Sequence, residues 1–223
     1  MNILSIIPAR GGSKGIPLKN IVKINGKPLL YYTIQASLQT LLVTRTVVST
    51  DNEKIAKIAK KMNVEVIKRP KKIATDTAST ESVIRHCLKY LKQHENYSPD
   101  IIVLLQNTSP LRTKKHIGGA IKKFLKYNFD SLLSGFSSHY FLWNKTNNTV
   151  SPVNYNPKKR PIRQKFNNQF IENGAIYITT YSAFQKSNCR ISGKIGLYEM
   201  TEKCSADIDT KEDLERIRKL IKK

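Results

Sequence analysis

With 223 residues, 39% of them hydrophobic and 8% aromatic, the chain can bury one sizeable core, which excludes an intrinsically disordered protein. Lys and Arg outnumber Asp and Glu by 39 to 16, a net charge of +23 that alone would suit a nucleic-acid-binding protein. The basic residues are spread along the chain, and no zinc-finger spacing or ribonucleoprotein aromatic motif accompanies them, so noncatalytic nucleic-acid binding is kept only as the rival reading.

Short apolar runs alternate with longer helical patterns, which predicts a mostly parallel sheet covered by helices. Residues 2–7 form the first strand, stopped by Pro8; they lack the basic segment and long apolar core of a secretory signal, so a cytoplasmic protein is expected. A helix over 28–39 carries Leu29, Leu30, Thr33 and Ile34 on one face, and a second strand follows at 46–49. Thr50 and Glu53 are read as a capping box for the helix bearing Ile55, Ile58, Ala59 and Met62. A strand at 64–67 and a helix at 79–93 lead to 101–105, an all-aliphatic run too short to span a bilayer. It is expected to be a central strand buried on both faces.

A helix over 114–126 and a strand at 131–134 come next, and then the rhythm is lost. Residues 136–168 hold the only Trp, several Asn and Pro, and no sustained period, which points to an insertion serving substrate or partner contact. Regular structure is expected again at 175–179, and Thr210 opens a final basic helix. No repeat or linker divides the chain, so residues 1–223 are read as one domain. Cys87, Cys189 and Cys204 are neither a disulfide framework nor a zinc pattern, and His86, His94, His116 and His139 have no metal-ligand spacing.

The first segment with chemistry is Pro8-Ala9-Arg10-Gly11-Gly12-Ser13-Lys14-Gly15-Ile16-Pro17-Leu18-Lys19-Asn20, directly after the first strand. Its glycines let backbone amides approach a polyphosphate, and Arg10, Lys14 and Lys19 supply positive charge. The spacing is neither a Walker A loop nor the dinucleotide GxGxxG.

This segment resembles the nucleotide-binding signature of the CMP-sialic acid synthetases (acylneuraminate cytidylyltransferases). The resemblance continues in order through Val48-Ser49-Thr50-Asp51, Arg69-Pro70, Asp76-Thr77-Ala78-Ser79, Leu105-Gln106-Asn107-Thr108-Ser109-Pro110-Leu111-Arg112, Glu172-Asn173-Gly174-Ala175-Ile176-Tyr177 and Asp207-Ile208-Asp209-Thr210. It implies an α/β, Rossmann-like nucleotidyltransferase with a mostly parallel central sheet, a homodimer formed largely through an inserted segment, and a magnesium-dependent reaction. That reaction transfers CMP from CTP to the anomeric hydroxyl of a nine-carbon acidic keto sugar of the N-acetylneuraminate type and releases pyrophosphate. Legionaminic, pseudaminic and Kdo-type sugars stay open as alternatives.

By the same resemblance, Arg10 and Lys19 are triphosphate ligands and the catalytic cations, with Gly11 and Lys14 in the same loop. Asn20, Arg69 and Thr80 surround the cytosine and ribose. Asn20 can offer both donor and acceptor to a base edge, whereas Thr80 stands near a helix start where a cap is the alternative. Gln106, Thr108, Arg163 and Tyr177 face the sugar. Arg112 either pairs with a carboxylate or secures its loop. Asp207 and Asp209, two residues apart, would turn both carboxylates to one side and hold magnesium; the competing reading is that Asp209 or Thr210 caps the last helix, helped by Asp213. The chain departs from the family pattern at Asn107, where proline is usual, at Lys165, where many relatives have an acid, and at Arg190-Ile191, where some have aromatics.

Overall fold

The computed structural model describes residues 1–13, 15–162, 166 and 169–221. The alternating pattern builds a seven-stranded sheet from β1 (Ile3–Pro8), β4 (Arg45–Thr50), β5 (Glu65–Lys68), β6 (Ile101–Leu104), β7 (Ser131–Ser138), β10 (Gln169–Thr180) and β11 (Ile195–Glu199). Between them run the helices α1 (Leu29–Leu38), α2 (Glu53–Lys61), α3 (Thr80–Glu95), α4 (Lys114–Lys126), α5 (Tyr181–Ser187) and α6 (Lys211–Ile221). Two small hairpins, β2 (Lys23–Ile24) with β3 (Lys27–Pro28) and β8 (Trp143–Thr146) with β9 (Thr149–Pro152), stand outside the sheet.

The strand order is β11-β7-β10-β6-β1-β4-β5. All neighbours are parallel except β10, which runs antiparallel to both β6 and β7. From β1 the chain moves outward through β4 and β5, then returns to place β6 on the other side of β1. That reversal leaves a crevice at the carboxyl ends of β1 and β6, the place where open α/β sheets bind ligands.

The period of two along each strand divides the core between the sheet faces. Ile3, Ile7, Ile101 and Val103 meet Leu30 and Ile34 of α1, Ile55 and Ala59 of α2, and Ile117, Ile121 and Phe124 of α4. Leu4, Ile6, Ile102 and Leu104 meet Val83, Ile84, Leu88 and Leu91 of α3 and Phe184 of α5. As expected, the 101–105 run is central and buried on both faces, and each such side chain contributes about 1.5–3 kcal/mol by leaving water. Cys87 lies fully inside this second layer, where burial pushes its thiol pKa up to about 12. A third cluster of Ile16, Ile24, Leu29, Ile208, Leu214 and Ile217 docks α6 against the segment after β1. That packing brings the Asp207–Asp209 stretch to the crevice.

Three sequence expectations are corrected. Helix α2 is capped by Asn52, whose side chain accepts from the Lys54 and Ile55 N–H groups, rather than by Thr50 with Glu53. An Asn next to the helix simply reaches those amides more directly than Thr50 can. The described residues of 136–168 are less irregular than expected: β7 runs on to Ser138, and β8 and β9 form a hairpin around Asn147, which takes the left-handed conformation at φ 54°. The expected strand at 175–179 is the end of the longer β10, whose start pairs with that extension of β7.

Candidate active site

A cleft of about 500 Å³ occupies the crevice. Its walls come from Arg10, Lys19 and Asn20 after β1, Arg69 after β5, Thr80 in the first turn of α3, Gln106 and Thr108 after β6, and Asp207 and Asp209 before α6. Nine predicted site residues from five separate stretches therefore meet in one place. A second pocket of about 410 Å³ is lined by Tyr177 with Phe136, Glu172 and Gly174, and it shares Gln106 and Asp207 with the first. Lys14 and Arg163 lie outside the described residues.

The glycine segment is fitted closely to its surroundings. A Cβ on Gly15 would collide with the Asp209 carbonyl oxygen, so the two walls can approach only with glycine here. The Gly11 N–H is already donated to the Asp51 carboxylate at 2.9 Å, which corrects the reading of that amide as a free phosphate donor. At Gly174 a positive φ of 69° and the Gln106 side chain, 2.5 Å from where a Cβ would sit, both require glycine. Gly174 belongs to an irregularity in β10 between Glu172 and Tyr177, the sort of bulge that re-aims side chains beside a site. Asn173 holds the bulge, accepting from Ser134 Oγ at 2.6 Å and the Ala175 N–H at 3.1 Å and donating to Ser205 Oγ at 2.8 Å.

Two of the cleft's cations are ion-paired. Arg10 meets Asp76 at 2.7 Å. Lys19 Nζ donates to the Ile208 carbonyl at 2.7 Å and to Asp209 Oδ1 at 2.9 Å. Arg69 is 5% exposed and donates to Ser49 Oγ and O, and burial lowers its pKa. Asp207 is mostly buried, with Ser109 Oγ 3.3 Å away, and its pKa is raised chiefly by that burial, with Asp209 adding and Thr108 and Lys19 opposing.

The structure decides the alternatives left open by sequence. Thr210 and Asp213 cap α6 reciprocally: Asp213 Oδ2 accepts from the Thr210 N–H at 3.0 Å, and Thr210 Oγ1 accepts from the Asp213 N–H at 3.1 Å. The Asp209 carboxylate is thus left to Lys19 and the cleft. Ser79, not Thr80, caps α3 by accepting from the Ser82 N–H. Among the described residues Arg112 pairs with no carboxylate; it secures the loop by donating to the Gln106 and Ala175 carbonyls and to Thr33 Oγ1. Asn20 Nδ2 donates to the Arg10 carbonyl, and its Oδ1 accepts from Asn107 Nδ2, so half of its hydrogen-bonding capacity tethers the loops. Asp51, Asp76 and Glu172 stand in the segments that carry the resemblance but were not singled out as site residues; their contacts with Gly11, Arg10 and Tyr177 mark them here.

A doubly wound α/β sheet with a charged, polar cleft at its switch point is the architecture of the Rossmann-like nucleotidyltransferases. Two solved structures share it across nearly the whole chain. One is a CMP:2-keto-3-deoxy-manno-octonic acid synthetase complexed with CTP, with TM-score 0.73 and 18% identity, covering 100% of this chain and 99% of that one. The other is a 4-diphosphocytidyl-2C-methyl-D-erythritol synthase, with TM-score 0.73 and 13% identity, covering 99% and 98%. At such identities the likeness concerns the fold alone. Residues 4–223 match the family described as Cytidylyltransferase, and the chain belongs to that family. It is 35% identical over 212 residues to N-acylneuraminate cytidylyltransferase A of Danio rerio, covering 93% of this chain and 48% of that protein. It is 30% identical over 223 residues to N-acylneuraminate cytidylyltransferase of Streptococcus agalactiae serotype V, covering 96% and 52%. The chain spans about half the length of the curated relatives it matches. Among the described residues, no helix is long and apolar enough to cross a membrane.

Proposed function

We propose that the protein transfers CMP from CTP to the anomeric hydroxyl of a nine-carbon acidic keto sugar of the N-acetylneuraminate type, releasing pyrophosphate. The observation that carries this reading is the pair of adjoining pockets that share Gln106 and Asp207. The larger suits a nucleoside triphosphate and the smaller a sugar, so the α-phosphorus and the attacking hydroxyl would meet at the shared residues. The sialic-acid preference is supported by the names of the two relatives above.

In this mechanism positioning and charge neutralisation supply most of the rate. Arg10 would exchange Asp76 for a phosphate oxygen, and Lys19 would turn from Asp209 to the departing pyrophosphate. Asn20 keeps one amide hydrogen and one lone pair for the base, and Thr80 presents its hydroxyl toward the ribose. Gln106 and Tyr177 line the sugar side, whereas Thr108, expected there from sequence, lines only the larger, nucleotide pocket.

Asp207 and Asp209 would hold magnesium. The donor set fits: both carboxylates line the same cleft, and the burial that raises the Asp207 pKa is a cost a bound dication relieves. Among the described residues no group of three or more His, Cys, Asp and Glu could hold a metal, so the remaining oxygens would come from phosphates and water. When bound, the ion supplies charge neutralisation at the phosphates.

Pyrophosphate release from CTP with N-acetylneuraminate, legionaminate, pseudaminate and Kdo in parallel tests the reading. Release with N-acetylneuraminate is expected, and release with none of the four overturns it. Arg10→Ala is expected to reduce turnover by roughly 10²-fold with an unchanged melting temperature, because its side chain is 31% exposed and outside the core. Unchanged turnover at saturating CTP would remove Arg10 from phosphate binding.

The reading includes a homodimer, built through residues 136–168. Phe141 packs inward on Tyr155 and Phe166, but Tyr140, Leu142, Trp143, Val150 and Val153 are each about half exposed or more. Light scattering at micromolar concentration should give twice the chain mass, little changed by salt because the surface is apolar. A monomer sinks this part. In a cell the enzyme would work in the cytoplasm and supply activated sugar for surface polysaccharide.

A further inference from the structure

Behind the two pockets, one polar network joins them. Helix α5 ends at Asn188 in the left-handed conformation, and the Asn188 side chain accepts from Arg85 of α3 at 3.2 Å. Two residues later Arg190 donates to Glu81, the neighbour of Thr80 in the first turn of α3, and the two side chains are only 23% and 18% exposed. The Arg190 guanidinium lies over the Tyr177 ring, 4.6 Å from its centroid. Across the bulge of β10, Tyr177 donates its hydroxyl to the Glu172 carboxylate. Ile191 anchors the loop by packing on the core layer of α3.

Arg190 lines neither pocket, but everything it holds does so or adjoins a residue that does. A guanidinium held over a ring and ion-paired in a largely buried place restrains the ring more firmly than packing alone. Tyr177 is itself 3% exposed, and it lines the second pocket. With its hydroxyl given to one side of Glu172, the rest of that carboxylate keeps acceptor capacity and can donate nothing. It would accept from a hydroxyl or amide N–H and repel another carboxylate.

We propose that Arg190 is a positioning residue of the second pocket: by clamping the Tyr177 ring to the first turn of α3, it holds Glu172 to accept a hydrogen bond from a hydroxyl or acylamino N–H of the bound sugar. Repulsion by Glu172 would also turn the sugar's own carboxylate away. This rests on the second pocket being the sugar site.

The test measures KM for N-acetylneuraminate and for CTP, kcat and melting temperature in the parent, Arg190→Leu, Arg190→Lys and Glu81→Gln. Arg190→Leu should raise the sugar KM by about tenfold, the equivalent of one hydrogen bond to a charged group, while the CTP KM moves far less. Arg190→Lys should fall between, since lysine keeps a charge for the ion pair but not the planar guanidinium over the ring, and Glu81→Gln should move the sugar KM in the same direction. A sugar KM unchanged in Arg190→Leu overturns the proposal, as does an equal rise in both KM values. If Arg190→Leu gives no cooperative melt, the ratio of the two KM values in the Lys and Gln variants decides. If the parent accepts no nine-carbon acid, the functional reading has failed, and the clamp is judged on the tyrosine ring signals of the labelled protein. A Tyr177 signal shifted and broadened in Arg190→Lys then supports the clamp, and an unchanged one overturns it.

Discussion

Asp207→Asn should lower magnesium-dependent pyrophosphate release by about 10³-fold, the several kcal/mol that a dication contributes to developing phosphate charge. An amide keeps the shape of the side chain and its place beside Ser109 but lacks the anionic oxygen that magnesium prefers. The fold should not suffer. Asp207 plays no part in capping α6, which Thr210 and Asp213 accomplish between them. Replacing a carboxylate whose ionised form is disfavoured by burial removes a cost from the folded state. The variant is therefore expected to melt no lower than the parent at neutral pH while losing turnover. Parental release across a magnesium titration would show that Asp207 is not a ligand. If Asp209→Asn behaves alike, both carboxylates serve the ion; if it loses less, its main partner is Lys19, as the 2.9 Å contact suggests.

Arg112→Met carries the largest expected effect on stability. Arg112 is 2% exposed, and burial pushes its pKa down to about 9, opposed by Asp207, so it stays protonated at neutral pH. Its guanidinium satisfies two carbonyls and a hydroxyl that reach it from three different parts of the chain. Methionine fills similar space and removes a buried charge, which is favourable by itself. It also leaves those three acceptors without a donor, at about 1–3 kcal/mol each. The second effect should win by about 3 kcal/mol, equivalent to roughly 10 °C in melting temperature for a chain of this size. Activity should fall as well, because the Gln106 carbonyl is one of the anchored groups and Gln106 divides the two pockets. Arg112→Lys should recover little, since one ammonium cannot serve acceptors spread around a planar fork. A melting temperature within 2 or 3 °C of the parent would mean that water replaces the guanidinium.

Much of the fold was legible because strands and helices are local patterns. The all-aliphatic run at 101–105 was expected as a strand covered on both faces, and the helix expected over 114–126 buries Ile117, Ile121 and Phe124 on one side. Chemistry was legible in part: the clustered glycines and cations after the first strand stood out locally, whereas the metal role of Asp207 and Asp209, two residues apart, rested mainly on the resemblance to the cytidylyltransferases. The local readings depend on residues within a few positions of one another, and short-range sterics and periodicity determine them.

What followed from contacts between distant parts of the chain could not be read that way. The direction of β10, antiparallel between β6 and β7, is set by its partners, and its bulge by the Asn173 network with Ser134 and Ser205. Arg10 gained Asp76, Gly11 gained Asp51, and Lys19 gained Asp209, 190 positions away. Sequence alone could name Arg112 and Asn20 but not say what each would touch. The same side chain serves as ligand, tether or cap according to which acceptor lies within about 3 Å, and packing the helices onto the sheet is what brings that acceptor there. The sequence by itself determined which groups were available and on which strand ends they stood; the tertiary structure decided their pairings, because a hydrogen bond is short and the chain between its partners is long.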